Sequence, residues 1–233
     1  REFNRNVEVI FAVFDQNSND KFTNQLLNNN YKYIIEFVLS KKNLGVIFKP
    51  KKSKNLYERL EKDTIDILNK AIKLKKCFIF EDFGDHQSNI PAILAASVSN
   101  LCIHTSLKAG TAAVECALYN KPTIIIDQEG YPYSKLNELR KNNIIFNTWE
   151  SCIDRLSFEL KNNSIQNFGF WGEFLNQFDD YNDGKGSLRL GNYCKEIING
   201  FDKGYKKKDV LRNAYIYFKK KYGNKVVRKI YDN

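Results

Sequence analysis

The chain of 233 residues, 42% hydrophobic and 27% charged, has the composition of a globular protein large enough to bury a substantial core. No apolar run is long enough to span a bilayer, and the amino-terminal residues lack the pattern of a signal peptide, so we expect a cytoplasmic protein. The five cysteines show no CxxC spacing and there are only two histidines, so neither a disulfide framework nor a metal centre is expected.

The net charge of +10 raises the question of an anionic partner. The lysines are spread over several clusters instead of lining one aromatic-rich face, which argues against nucleic acid as a partner. A phosphate-bearing substrate or an anionic membrane surface would be attracted by the same charge. The chain begins at Arg1 and contains no methionine, so we expect it to be a fragment whose upstream part is missing.

The first elements predict parallel strands alternating with helices. Val7 to Phe14 is an almost continuous apolar run, typical of a central parallel strand. The polar loop from Asp15 to Ser18 that follows it is either a ligand contact or a turn rich in Asx residues. Helical spacing predicts a helix over 24–40, and Leu44 to Phe48 forms the next strand. Lys49 comes directly after that strand, where a basic residue can bind a phosphate or a carboxylate.

The next segment continues the alternation. An amphipathic helix is predicted over 57–74, with Leu60, Ile65, Leu68, Ala71 and Ile72 facing inward, and a strand over 77–80. The loop from Glu81 to Asp85 ends that strand. Asn89 then caps a short helix that has Pro91 in its first turn.

Leu101 to Asp127 is the central unit. An apolar strand over 101–104 leads into a loop of small polar residues, a helix follows, and Thr123 to Ile126 forms a buried strand. Ligands of open α/β sheets lie beyond the carboxyl ends of the strands, and a helix N-terminus favours an anion. The loop from Ser106 to Thr111 is therefore the predicted phosphate cradle.

The remaining residues are less regular. Phe168 to Asp180 is aromatic and acidic without a clear period. The other predicted elements are a turn over 128–133, a strand over 144–146 and helices over 149–160, 190–199 and 208–231. Thr148 and Ser151 are expected to cap the first of these helices.

The segment HTSLKAGTAAVECALYNKPTIIID resembles the phosphate-binding unit in the carboxyl-terminal domain of GT-B glycosyltransferases that build bacterial surface polysaccharides. The order of elements from Cys77 to Asp127 strengthens the resemblance. It implies an α/β fold with a Rossmann-like parallel sheet flanked by helices and a carboxyl-terminal helical extension. The expected domains are a nucleotide-sugar-binding domain over 1–160 and a helical extension over 161–233, which packs on the same domain or on a missing partner domain.

The resemblance also implies roles for particular residues. Ser106, Gly110 and Thr111 in the cradle would contact phosphate. Glu115 of the following helix would meet the ribose or the sugar, and Phe83 would stack on the base. The segment from Asp183 to Arg189 resembles the "Asp-Gly-x-Ala/Ser-x-Arg" ending of such transferases, which would add phosphate contacts. The implied substrate-binding residues are Lys49, Glu81, Phe83, Thr105, Ser106, Gly110, Thr111, Ser187 and Arg189. His104 and Glu115 are the only local candidates for acid–base catalysis, and His104 could equally be a structural or donor-contacting histidine.

The implied function is the donor-binding half of a glycosyltransferase that uses a nucleotide-sugar as its substrate, without a cofactor or a metal. Its partners would be an oligosaccharide or lipid-linked acceptor, a missing amino-terminal GT-B domain and, in addition, the inner face of the membrane. Two alternatives remain open: a CDP-polyol phosphotransferase of the teichoic-acid type, and a non-catalytic or epimerase-like nucleotide-sugar-binding module. We expect the chain alone to bind a nucleotide but not to transfer sugar, because GT-B chemistry takes place between two domains.

Overall fold

The computed structural model describes residues 3–16, 23–81, 90–179, 181 and 183–223. The chain forms two compact units, Arg1–Phe174 and Leu175–Asn233. The predicted base-stacking residue Phe83 and the cap Asn89 lie outside the described residues.

The first unit is built on a parallel sheet of six strands in the order β3-β2-β1-β4-β5-β6. The strands are β1 (Val9–Phe14), β2 (Leu44–Lys49), β3 (Cys77–Ile79), β4 (Leu101–His104), β5 (Thr123–Ile126) and β6 (Ile145–Phe146). Chain order reverses between β1 and β4, which is the place where doubly wound sheets bind ligands. The predicted Rossmann-like α/β fold is confirmed.

The register brings three strand ends together at this reversal. Phe14 of β1 pairs with Lys49 of β2 on one side and with His104 of β4 on the other. The residues that follow these strands therefore meet at one edge of the sheet.

Helices cover both faces of the sheet because β1 buries alternate side chains on opposite sides. Phe11 and Val13 belong to one core, and Ala12 and Phe14 to the other. The helices of the first unit are α1 (Asn24–Ser40), α2 (Leu56–Arg59), α3 (Lys62–Lys73), α4 (Ala92–Ser97), α5 (Thr111–Leu118) and α6 (Trp149–Lys161). Short 3-10 helices span Lys135–Asn142, Ile165–Asn167 and Gly172–Gln177, the last of which runs across the boundary between the two units.

Helix α1 has the predicted bounds, but the single helix predicted over 57–74 is wrong. The chain breaks after α2, and the side chain of Asn28 bridges the break. Its Nδ2 donates to the Arg59 carbonyl at 3.0 Å, and its Oδ1 accepts from the Glu61 amide at 2.6 Å. Ile72, predicted to face inward, is 37% exposed.

We expect Asn28→Ala to lower the free energy of unfolding by on the order of 1 kcal/mol, because it removes the part-buried hydrogen bonds to the Arg59 carbonyl and the Glu61 amide. Urea unfolding measures the change. Gln25→Ala, at an exposed position of the same helix, is the control. Equal stabilities of the two variants would contradict the bridging role.

The second unit contains α7 (Gly186–Asp202) and α8 (Lys207–Tyr222), which pack against each other through Gly200 on Val210 and an edge-to-face contact of Tyr193 with Phe218. Helix α7 begins earlier than the predicted 190–199. The predicted helix 208–231 ends at Tyr222, because Gly223 has a φ of 88°. None of the helices in the described part of the chain is long and apolar enough to cross a membrane.

Candidate nucleotide site

A cavity of about 350 Å³ opens at the carboxyl edge of the sheet where chain order reverses. Its wall includes the ends of β1, β2 and β4, the segment before α4 and the first turns of α5. The sheet thus places residues that are far apart in sequence around one space.

The β2 side of the cavity is basic. Lys49 and Lys51 both line it, and the Lys49 Nζ donates to the Pro50 carbonyl at 3.1 Å. Ala109 and Thr111 line the same cavity. The prediction that Lys49 and the 106–111 loop face one cleft is confirmed, whereas contact of Lys49 with an anion stays a prediction.

Gln16 connects the basic side to the loop before α5. Its Oε1 accepts from the Lys51 Nζ at 3.4 Å, and its Nε2 donates to the Ala109 carbonyl at 3.3 Å. Gln16 belongs to the loop from Asp15 to Ser18, for which ligand contact was one of two predictions, whereas Lys51 is not a predicted site residue. The position of Lys51 just beyond the end of β2 is the signal that could have found it.

The N-terminus of α5 forms the opposite side. The Thr111 amide donates to the Ala109 carbonyl at 2.8 Å and the Val114 amide to Gly110 at 3.0 Å. Within the described residues, no backbone carbonyl accepts from the amides of Ala112 and Ala113, and Ala112 lines the cavity. Free amides and the helix dipole favour an anion at this end.

Glu115 reaches the cavity one turn further along α5. It is partly exposed, and its Oε1 accepts from the Ile93 amide at 3.4 Å, which is a long hydrogen bond. Of the site residues predicted in the central unit, Thr111, Glu115 and His104 line the cavity.

Three predicted phosphate ligands have partners inside the protein. The Thr105 Oγ1 donates to the Phe14 carbonyl at 3.1 Å, and the buried Ser106 Oγ donates to Glu129 at 2.5 Å. Gly110 lies beside Leu136, since a Cβ there would meet Leu136 Cδ1, the movable end of that side chain. These residues shape the loop, and their contact with phosphate stays a prediction.

His104 is 1% exposed, and burial lowers its pKa to about 4. Its Nδ1 lies 2.8 Å from the Ser106 carbonyl oxygen and 3.2 Å from the Ser106 amide nitrogen, so the ring can bond the Ser106 backbone in either neutral tautomer. The ring is neutral at physiological pH and too weakly basic for efficient proton abstraction there. The geometry supports the structural or donor-contacting alternative for His104.

Asp15 is the first residue of the loop that was predicted as either a ligand contact or an Asx-rich turn, and it is a buried carboxylate that lines the cavity. It accepts from the Tyr31 hydroxyl at 3.0 Å and from the Lys51 amide at 2.7 Å. Burial raises its pKa to about 6, although the Lys51 amide, Arg59, Tyr31 and Lys49 oppose the rise. It can therefore exchange a proton near neutral pH.

The remaining predicted residues are not in the cavity wall. Glu81 is exposed at the edge of the described segment. Ser187 and Arg189 belong to the second unit, where the Arg189 guanidinium pairs with Asp183 at 2.9 Å and stacks on Tyr181 at 4.0 Å. Phosphate contacts of Ser187 and Arg189 stay predictions.

Metal-ligating side chains do not cluster in the described ranges, where no group of three or more His, Cys, Asp or Glu could hold an ion. All five cysteines are free, and Cys77, Cys102 and Cys116 are buried, as expected for small apolar side chains.

No family model matches the sequence, and no curated protein matches it. Among solved structures, it is similar to S. aureus MnaA in complex with UDP, with 13% identity over 82% of this chain and 47% of that one and a TM-score of 0.47. It is also similar to a protein from Listeria monocytogenes assigned as a UDP-N-acetylglucosamine 2-epimerase, with 10% identity over 85% and 47% and a TM-score of 0.47. The chain spans about half the length of these structures.

Proposed function

We propose that the first unit is the nucleotide-sugar donor-binding half of a GT-B glycosyltransferase that extends a bacterial surface polysaccharide. The observation that carries the proposal is the convergence of the α5 N-terminus with Lys49 and Lys51 on one cavity at the strand-order reversal. Helix amides and lysines on facing walls suit a ligand that carries more than one phosphate.

In this proposal the same groups assist the reaction. Breaking the bond between sugar and phosphate leaves negative charge on the departing nucleotide. The amide of Ala112 and the ammonium groups of Lys49 and Lys51 would stabilise that charge because these residues line the cavity. Glu115 would accept hydrogen bonds from ribose or sugar hydroxyls, as a carboxylate can.

One observation favours a second candidate, an epimerase-like module acting on nucleotide-sugars. Such chemistry needs acid–base groups beside the sugar. Asp15 and Glu115 both line the cavity, and the pKa of Asp15 is about 6. Product analysis separates epimerisation from transfer when the chain, joined to the proposed amino-terminal half, is incubated with UDP-N-acetylglucosamine with and without an oligosaccharide acceptor. A CDP-polyol donor tests the phosphotransferase alternative.

The acceptor, an oligosaccharide or a lipid-linked saccharide, and an amino-terminal GT-B half are part of the proposal. Contact with the inner face of the membrane is assigned to the second unit. From Leu175 onward the sequence carries 14 Lys and Arg against 7 Asp and Glu, and α7 exposes Leu190, Ile198 and Phe201. Basic charge beside exposed apolar side chains suits an anionic lipid surface.

We expect the chain to bind at least one of CMP, CDP, UDP and GDP in titration calorimetry. Thr111→Ala, Glu115→Ala and Lys51→Ala should each weaken binding by on the order of 1 to 3 kcal/mol, because each removes a polar or charged contact with the ligand. Lys52→Ala is the matched control, since Lys52 is an exposed neighbour of Lys51 that does not line the cavity.

Two results would overturn the proposal. One is that none of the four nucleotides binds at millimolar concentration. The other is that Lys52→Ala and Lys51→Ala weaken binding equally, which would mean that diffuse charge and not the cavity attracts the nucleotide.

A further inference from the structure

We propose that Asp15 takes up a proton when a nucleotide diphosphate enters the cavity and then donates a hydrogen bond to a phosphate oxygen. This inference rests on the proposed function, because it needs a phosphate-bearing ligand in the same cavity. In this inference Asp15 binds an anionic ligand when it is protonated and repels that ligand when it is charged.

The position of Asp15 supports this role. It follows Phe14, whose register partners are Lys49 and His104, so it stands at the reversal between β1 and β4. Asp15 is only 5% exposed, and it lines the cavity. The Tyr31 hydroxyl holds Oδ2 and the Lys51 amide holds Oδ1, so the carboxyl group is fixed in place.

The groups around Asp15 come from several helices and strands, and they include both positively and negatively charged side chains. Tyr31 of α1, Lys51 after β2, and Arg59 of α2 favour the charged carboxylate, and so does Lys49. On the other walls of the cavity, His104 of β4 is a neutral ring and Glu115 of α5 is an acidic side chain. Burial outweighs the positive neighbours, so the pKa of Asp15 is about 6 before any ligand binds.

A bound diphosphate changes this balance in one direction. It brings negative charge next to the carboxylate and displaces water, and both effects raise the pKa of an acid. It also pairs with Lys49 and Lys51, which then stabilise the carboxylate less. One proton moves from solvent to the Asp15 carboxylate, and the protonated group has an O–H that can donate to phosphate. No bond of the ligand is made or broken.

The test is titration calorimetry with UDP-glucose in buffers that differ in ionisation enthalpy. UDP-glucose is the probe because its diphosphate keeps a constant charge near neutral pH, and UDP serves for comparison. We expect the wild-type chain to take up a substantial fraction of one proton near pH 7. Its affinity should rise as the pH falls from about 8 to about 6, by at most about tenfold per pH unit, and level off below.

Asp15→Asn resembles the protonated form. We expect it to bind UDP-glucose without proton uptake, with an affinity that does not change over this pH range and is at least equal to that of wild type at about pH 8. A merely structural role for Asp15 would weaken binding at every pH. Glu115→Gln is the control and should retain the uptake, although it binds more weakly.

Should Asp15→Asn fail to fold, Tyr31→Phe provides the second measurement. It removes a hydrogen bond that stabilises the carboxylate, so the pH dependence of binding should move to higher pH. Binding of UDP-glucose without proton uptake, or uptake that persists in Asp15→Asn, would overturn the inference while leaving the proposed function intact. Failure of every nucleotide to bind would overturn both.

Discussion

Asp15→Asn and His104→Gln should change the pH dependence of unfolding in opposite directions. Asp15 has a pKa raised from 3.8 to about 6 in the folded protein. Its contribution to stability is therefore present at low pH and is lost as the pH rises through 6. Between about pH 4 and pH 7 this loss amounts to about 2 kcal/mol. Asp15→Asn removes the titrating group, so its stability relative to wild type should rise with pH.

His104 has the opposite sign. Burial lowers its pKa from 6.5 to about 4, so its contribution to stability is present above 6.5 and is lost as the pH falls through 4. Between about pH 7 and pH 4 the loss amounts to about 3 kcal/mol. Altered packing in His104→Gln lowers the free energy of unfolding by the same amount at every pH. The stability of His104→Gln relative to wild type should therefore rise as the pH falls.

In the wild-type chain the two contributions nearly cancel over this range, and only the single variants reveal them. Urea unfolding at several pH values between about 4 and 8 measures the differences. The exposed Gln25→Ala, which removes no titratable group, is the control, with a curve expected to run parallel to that of wild type. If the curves of Asp15→Asn and His104→Gln also run parallel to wild type, the titration of these two buried groups is not as described.

The strands and helices that the sequence predicts well are those with local signals. The uninterrupted apolar runs of β4 and β5 and the helical stripe of α1 define their own bounds, because burial on both faces or on one stripe is visible in the order of residues. The break between α2 and α3 has no such signal. It depends on the side chain of Asn28, more than thirty residues earlier in the chain.

The site is predictable in place but not in detail. Residues after strand ends were expected at one edge, and Lys49, Thr111 and Glu115 line the cavity there. Ser106 and Gly110 have the residue types of a phosphate cradle, yet small polar residues serve a tight loop equally well, and their partners Glu129 and Leu136 lie further along the chain. The raised pKa of Asp15 depends on burial, which a linear pattern does not show.

The segment after α6 is the other feature without a sequence period, and its order comes from long-range contacts with β5. The Gly169 carbonyl accepts from the Thr123 amide at 2.8 Å, and the Trp171 Nε1 donates to the Thr123 carbonyl at 2.9 Å. Trp171 is only 2% exposed. The segment from Phe168 to Trp171 therefore bonds both backbone groups of Thr123 at the start of β5. The bond to the Gly169 carbonyl requires the two backbones to lie close together.

Gly169→Ala should be among the most destabilising single substitutions in the first unit. Gly169 has a φ of +94°, which a side chain rarely adopts, and a Cβ there would lie 3.0 Å from the Thr123 amide nitrogen and 3.2 Å from Leu101 Cδ1. Backbone strain and overpacking each cost on the order of 1 to 3 kcal/mol. We therefore expect the free energy of unfolding to fall by about 3 kcal/mol.

Gly172→Ala separates the two causes. Gly172 also has a positive φ, +55°, but a Cβ there would meet nothing within 4 Å. Only the backbone strain remains, so we expect a loss of about 1 kcal/mol. Urea unfolding of both variants measures the difference, and near-ultraviolet circular dichroism reports whether the Trp171 environment changes only in Gly169→Ala. Equal losses in the two variants would mean that the 168–171 segment does not pack closely on β5, because close packing is what distinguishes the two glycines.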